Sequence, residues 1–354
     1  MFPFALARPV LHLFDAETAH GLVVWALKSG LVGGDSISDD AILAQSLWGL
    51  NFPNPIGLAA GFDKDAEVPD AMLRIGLGFV EAGTVTPRPQ QGNPKPRLFR
   101  LSDDEAVINR LGFNSGGLEA YAARLEARGM RSGIVGANVG KNKETEQVED
   151  DYVIGIERLT LLSDYIVVNV SSPNTEGLRA LQARESLARL LSASMDARAR
   201  ASRDITKMPP LLVKVAPDLD TSEMHDIADV VVSSGIDGLV VGNTTIDRPA
   251  GLHSSDKSQA GGLSGKPLME KSTKCLAEFY RLTEGKIPLI GCGGIASGAD
   301  AYAKIRAGAS LVQLYTALVF QGPGLVGRIK RELAALLKED GFANVSEAIA
   351  ADHK

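Results

Sequence analysis

Eight short apolar runs rich in β-branched residues recur along the chain, each followed by a stretch of helical patterning: 54–61, 78–86, 133–140, 165–172, 211–217, 237–245, 287–294 and 310–318. Runs that are apolar on both faces read as strands covered on both sides, and strands alternating with helices are joined by crossovers, which makes them parallel. Eight such units in 354 residues predict an α/β fold of the (β/α)8 barrel type, whose usual size is about 250 residues before insertions. A doubly wound open sheet is the alternative.

In a barrel the chemistry lies at the C-terminal ends of the strands, so the residues that close each run carry the functional signal. They are Lys64 just after the first run, Thr84, Asn138, Asn169 with Ser172 and Asn174, Lys214, Asn243 with Thr244, the Gly293-Gly294 pair, and Tyr315-Thr316. Each alone reads as a loop or capping residue; converging on one barrel mouth, they read as a site. Backbone amides near "GCGGI" can hold a phosphate without a side chain, although the motif lacks the spacing of a dinucleotide fingerprint. "GGLSGKPL" (261–268) adds a flexible segment after the sixth run. Lys64 and Lys214 at strand mouths need an anionic partner, supplied by a ligand or, for Lys64, by neighbouring Asp63 or Asp65. The side-chain amides offer both donors and acceptors, which suits a planar heterocycle such as a flavin or a pyrimidine.

Charge and cysteine usage exclude other classes. The formal net charge of -6 is dispersed, and no dense basic tract is present to neutralise a row of phosphates, so nucleic-acid binding is not expected. Cys275 and Cys292 are the two cysteines, without a C-x-x-C pattern, so no disulfide framework or metal site is indicated and a reducing compartment fits. The apolar N-terminus, "MFPFALARPVLHLFDAETAHGLVVWALKSG", is interrupted by Arg8, His12, Asp15 and Glu17, unlike a secretory signal. Its longest uncharged stretch, Thr18 to Leu27, is well short of the ~20 apolar residues of a spanning helix. Asp15 is expected to cap a helix from Ala16 that Gly30 ends, apolar nearly all round and so needing burial on more than one side. These features divide the chain into a helical appendage over 1–34 and a barrel over 35–354.

"GLAAGFDKD" (57–65), "EAGTVTPRPQQGNPKPRLFRL" (81–101), "INRLGFNS" (108–115), "NVSSPNTEGLR" (169–179), "LVKVAPD" (212–218), "GNTT" (242–245), "GGLSGKPL" and "LIGCGGI" (289–295) together resemble the membrane-associated, quinone-using class of dihydroorotate dehydrogenases. The resemblance runs from the appendage to the last barrel helix and implies an FMN cofactor across the barrel mouth, with dihydroorotate on one face. Ser172 stands at the position of the catalytic base, where the soluble classes carry cysteine. Ala60, Gly61, Lys64, Thr84, Asn138, Asn169, Lys214, Gly242, Gly265, Gly294, Tyr315 and Thr316 match FMN contacts, with Lys214 stabilising negative charge on the reduced flavin. Lys64, Asn109, Arg110, Leu111, Gly112, Phe113, Asn169, Asn174, Asn243 and Thr244 match contacts to substrate or product, dihydroorotate and orotate. Ser115 replaces the second asparagine that the family often carries after "GFN", and residues 175–182 match the substrate-side lid.

On the acceptor side the resemblance assigns His20, Arg100 and Tyr315 to a membrane quinone; the residues by themselves favour a solvated helix histidine at 20. Phe2, Phe4 and Leu6 are expected to meet membrane, or a second copy of the chain. The implied setting is peripheral association with the cytoplasmic side of a bacterial inner membrane, with no metal and no partner subunit required. Two alternatives stay open from sequence: a soluble FMN barrel acting on dihydropyrimidines with fumarate or NAD, and a non-redox, phosphate-binding barrel tethered to membranes.

Overall fold

The computed structural model describes residues 4–34, 38–129, 131–203 and 208–353, so the expectation for Phe2 lies outside the described residues. All eight expected runs form strands: β3 (Ile56–Leu58), β4 (Phe79–Val85), β7 (Ile134–Val139), β8 (Tyr165–Asn169), β9 (Leu211–Val215), β10 (Gly238–Val241), β12 (Leu289–Cys292) and β13 (Ala309–Leu314). They pair in parallel and close into a barrel in the order β10-β12-β13-β3-β4-β7-β8-β9, which rejects the open sheet. Around them lie α3 (Pro69–Arg74), α4 (Leu118–Arg128), α5 (Val148–Leu159), α6 (Arg184–Ala201), α7 (Thr221–Ser234), α8 (Met269–Leu282), α9 (Gly298–Arg306), the short α10 (Thr316–Gln321) and α11 (Gly324–Glu339).

The barrel interior is apolar at one end and polar at the other. Phe79, Tyr165, Val167, Leu212, Val240, Ile290 and Leu311 are packed together in its lower part. Two glycines, each on the strand beside the ring it faces, make room for the rings: a Cβ at Gly57 would lie 2.2 Å from Phe79 Cζ, and one at Gly136 2.1 Å from Tyr165 Cζ. A hairpin absent from the sequence expectation, β1 (Gln45–Leu47) and β2 (Leu50–Phe52), closes this end. It is fixed by Trp48 Nε1 donating to Asp237 O at 2.8 Å and by Phe52 edge-on to Phe79. Above the apolar layer, Glu81, Asn138 and Gln313 are fully buried and lead to the barrel mouth.

A second sheet not expected from sequence covers that mouth: β5 (Leu98–Leu101), β6 (Ala106–Asn109) and β11 (Gly262–Gly265), antiparallel, with β6 central. Ahead of the barrel lie α1 (Phe4–Leu13), which continues through Pro9 and was not expected, and α2 (Ala16–Lys28), which was. Asp15 caps α2 by accepting from Thr18 N at 3.0 Å and Glu17 N at 3.1 Å, and Gly30 follows its end in the left-handed region at φ 71°. Arg100 ties down the end of α1 by donating to the carbonyls of Leu11, His12 and Phe14.

Helix α2 is joined to the barrel by an ion pair between Glu17 and Arg97 at 2.7 Å, and Arg97 is only 7 % exposed. The same guanidinium donates to Gln91 O and Asn93 O, and Asn93 Nδ2 reaches Asn174 O at 3.2 Å. Glu17→Gln leaves a buried cation short of its counter-charge and is expected to cost about 1–3 kcal/mol at neutral pH, because Glu17 itself keeps some solvent. The hydrogen bond from Arg97 lowers the Glu17 pKa. Its stabilisation is therefore present above the unfolded value of about 4.3 and lost as pH falls through the folded value. Thermal unfolding of both proteins at neutral and acidic pH checks this: the difference should close on acidification.

Candidate active site

One cavity of about 800 Å³ runs from the ends of the barrel strands, under the three-stranded sheet, to the space between α1 and α2. Its walls bring together Ala60, Gly61, Lys64, Thr84, Asn109, Leu111, Gly112, Phe113, Asn169, Ser172, Asn174, Lys214, Asn243, Thr244, Gly265, Gly294, Tyr315 and Thr316 at one end, and His20 and Arg100 towards the other. Three residues expected to contact ligand are not part of the wall. Asn138 lies one layer behind it, fully buried. Arg110 turns away, stacking on Phe99 at 4.6 Å and bonding Gln259. Gly242 packs against Pro217.

The polar floor is a single hydrogen-bonded chain. Glu81 accepts from Gln313 Nε2 (2.6 Å) and Asn138 Nδ2 (2.7 Å); Asn138 Oδ1 accepts from Thr84 Oγ1 (2.5 Å) and Asn169 Nδ2 (3.1 Å). Asn169 Oδ1 accepts from Ser171 Oγ at 2.7 Å, and that hydroxyl accepts from Asn243 Nδ2 at 2.8 Å. Every amide orientation is thereby fixed by a neighbour, back to one buried carboxylate. Sequence reasoning missed Glu81 and Gln313. The available signal was a charged or amide side chain inside an otherwise apolar run, "GFVEAGTVT" or "SLVQLYTAL".

Two cations face this floor. Neither the Lys64 nor the Lys214 ammonium has a hydrogen bond or ion pair among the described residues. The alternative partners of Lys64 are engaged elsewhere: Asp63 caps the amides of Glu67 and Val68 at 2.7 and 2.8 Å, and Asp65 accepts from Gly116 N at 2.8 Å. Burial lowers the Lys64 ammonium to about 8. Thr244 Oγ1 and Gln313 Oε1 are buried without a partner among the described residues. Unsatisfied groups of both kinds around one space are the pattern of a binding site for an anionic, hydrogen-bonding ligand.

At the next sector the backbone itself forms a cradle. Gly265, Gly293 and Gly294 have φ of 98°, 109° and 85°. A Cβ at Gly265 would lie 2.3 Å from Glu105 O, and one at Gly294 2.5 Å from Met269 N. Only glycine keeps these turns open, and clustered amides of this kind hold phosphate. The residues present therefore fit a phosphate-bearing planar cofactor: a cradle, two unpaired cations, and a floor of oriented amides.

Ser172 is 7 % exposed, and its Oγ accepts from Asn174 N at 3.2 Å. Asn174 Nδ2 donates to Asn109 Oδ1 at 3.1 Å across the cavity. The segment after Ser172 is held by Arg179, which donates to Ser171 O (3.0 Å), Thr244 O (2.9 Å) and Asp218 Oδ2 (2.9 Å). One guanidinium thus positions residues on both sides of the serine.

Towards α1 and α2 the wall becomes aromatic and apolar. The His20 ring meets Phe62 at 5.1 Å and Tyr315 at 6.4 Å, and Phe62 meets Tyr315 at 5.5 Å. Burial, helped by the Lys64 charge, lowers His20 to about 4, so it is neutral at physiological pH. A solvated histidine is excluded by this placement. Outside, seven of the eleven large hydrophobic side chains exposed among the described residues belong to the first 31 positions, among them Leu13 (84 %), Leu6 (64 %) and Trp25 (60 %). Among the described residues no helix is long and apolar enough to cross a membrane.

Residues 42–337 match the family model described as dihydroorotate dehydrogenase. The chain is 59% identical to the dihydroorotate dehydrogenase (quinone) of Azorhizobium caulinodans, over 99% of both chains. It is 52% identical to the mitochondrial dihydroorotate dehydrogenase (quinone) of Mus musculus, over 97% of this chain and 88% of the mouse one. A crystal structure of the Eimeria tenella enzyme in complex with ferulenol superposes with a TM-score of 0.93 at 46% identity, covering 96% of each chain. The sequence resemblance and the closed barrel thus meet in one assignment: this chain belongs to the dihydroorotate dehydrogenase family, alongside its quinone-dependent members.

Proposed function

We propose that the protein oxidises dihydroorotate to orotate in pyrimidine biosynthesis, with FMN as bound cofactor and a membrane quinone as terminal acceptor. The observation that carries this reading is the continuity of one cavity from Ser172 and the two lysines, past the glycine cradle, to the apolar gap between α1 and α2. Substrate gives up a proton from one ring carbon and a hydride from its neighbour, and a carbon-carbon double bond forms. When bound, FMN supplies the two-electron acceptor that links substrate to quinone.

The residues divide the remaining work. Ser172 Oγ takes the proton while its own hydroxyl proton passes onward to a hydroxyl or a water, and the backbone N–H of Asn174 that donates to that oxygen holds it in position. Asn109, Asn174, Asn243 and Thr244 hold the substrate's polar edge, and Lys64 its negative charge. Lys214 and the Glu81-anchored floor orient the flavin, Lys214 countering negative charge on its ring system, while Gly265, Gly293 and Gly294 receive its phosphate. Neutral His20 and Tyr315 form the polar rim facing quinone, and the exposed apolar side chains of α1 and α2 rest in the membrane boundary. The setting is peripheral, on the cytoplasmic side of the inner membrane, without a partner subunit.

The purified protein is expected to be yellow, to release FMN on denaturation, and to bleach anaerobically on addition of dihydroorotate. A colourless protein that binds no flavin would reject the reading in favour of a non-redox barrel, and turnover with fumarate or NAD in place of quinone would favour a soluble acceptor.

A further inference from the structure

Lys304, on α9, has no exposed surface. Its Nζ donates to Ser272 Oγ at 2.8 Å and Thr273 Oγ1 at 3.1 Å, the fourth and fifth residues of α8, and among the described residues it has no ion pair. The titratable groups facing it do not neutralise it. Cys292 on β12 and Cys275 on α8 are kept protonated by burial, Cys275 being pushed up to about 12. Asp300, on the same helix, accepts from Ala296 N and Ser297 Oγ. A buried ammonium without a carboxylate is strongly unfavourable, and here it stands at the positive end of a helix dipole, which adds repulsion. Something else must offset it.

The contact chain leads to the glycine cradle. Ser272 Oγ, which accepts from Lys304, also lies 2.9 Å from Gly293 O, and Gly294 packs on Met269, the first residue of α8. Resting on the FMN reading above, we propose that Lys304 is the buried counter-charge for the flavin phosphate, a positioning residue acting through Ser272 and the Gly293-Gly294 turn without touching the ligand. A dianion in the cradle supplies the negative charge that the protein withholds. It also explains why the ammonium is held by hydroxyls: they transmit its position to the turn and leave its charge uncancelled.

The inference is tested by the preference for FMN over riboflavin, which differs from FMN only by the phosphate. Flavin-loaded protein is equilibrated with mixtures of the two, and the bound flavins are released and quantified. Lys304→Met should reduce the preference for FMN roughly 10- to 100-fold, with riboflavin affinity unchanged. In the wild-type protein the preference should itself depend on pH. Burial lowers Lys304 to about 8, and a neighbouring dianion raises it. The advantage is therefore full below the unloaded value and is lost as pH rises through the loaded one, falling roughly fivefold between about pH 7.5 and about pH 9. The phosphate, with a second pKa of about 6, stays dianionic throughout, and the ring system is common to both flavins. The variant's preference should be flat over that range. An unchanged preference in the variant, or equal loss of both flavins, would overturn the proposal in favour of a purely structural lysine. Should the variant not fold, a flat wild-type profile overturns it alone. Wild-type protein that binds neither flavin would instead defeat the FMN reading on which the proposal rests.

Discussion

Ser172→Ala is expected to keep bound FMN and to lose between about 10² and 10⁴ of the rate of flavin reduction by dihydroorotate, the range that a positioned base contributes. Among the described residues the serine has no histidine or carboxylate hydrogen-bonded to it; its Oγ accepts from Asn174 N. That amide does not raise the basicity of the hydroxyl but fixes its position; the oxygen takes the substrate proton as its own proton passes onward to a hydroxyl or a water. Removing the hydroxyl therefore removes a transition-state interaction and little binding energy, so the loss should appear in the reduction rate and not in substrate affinity. Anaerobic stopped-flow reduction, followed by flavin bleaching across a substrate series, measures both. A variant that reduces flavin at the wild-type rate would show that the base lies elsewhere.

The barrel was readable because its strands are buried on both faces, which leaves a long apolar run in the sequence for each. The two small sheets left no comparable trace. β5, β6 and β11 have four residues each, and "LFRL" and "GLSG" carry polar side chains, Arg100 and Ser264, that line the cavity. Helix α1 was hidden by Pro9 and by its brevity. The strand-end residues named from sequence mostly line one cavity because barrel topology brings strand ends together, whereas their depth was not legible. Asn138 closes its run as Asn169 does, yet Thr84 and Asn169 lie over it and make it a brace. Arg110 lies in a motif whose neighbours Asn109 and Leu111 line the cavity, yet just past the end of β6 its side chain turns to Phe99 and Gln259. The Glu17–Arg97 pair joins residues eighty positions apart, a distance at which local patterning carries no information.

Deleting residues 1–33 is expected to separate the two half-reactions. The groups around Ser172 belong to barrel loops and the covering sheet, so flavin reduction by dihydroorotate should persist, within the stability lost with the Glu17–Arg97 pair. The acceptor side has no such independence, because His20 and much of the apolar wall come from α1 and α2. Leu6, Leu13, Leu22 and Trp25 also leave with the segment, all exposed here and apolar. Burial of one such side chain in a lipid boundary contributes about 1.5–3 kcal/mol. Loss of two or more therefore lowers membrane partitioning, and turnover with a long-tailed quinone in vesicles, by at least roughly 100-fold. A water-soluble dye needs neither the apolar gap between α1 and α2 nor the membrane and should be reduced at close to the full-length rate. Undiminished turnover with the long-tailed quinone would place the acceptor route somewhere other than between the two helices. Equal loss with dye and quinone would mean that the appendage holds the barrel together, a role its ion pair alone does not require.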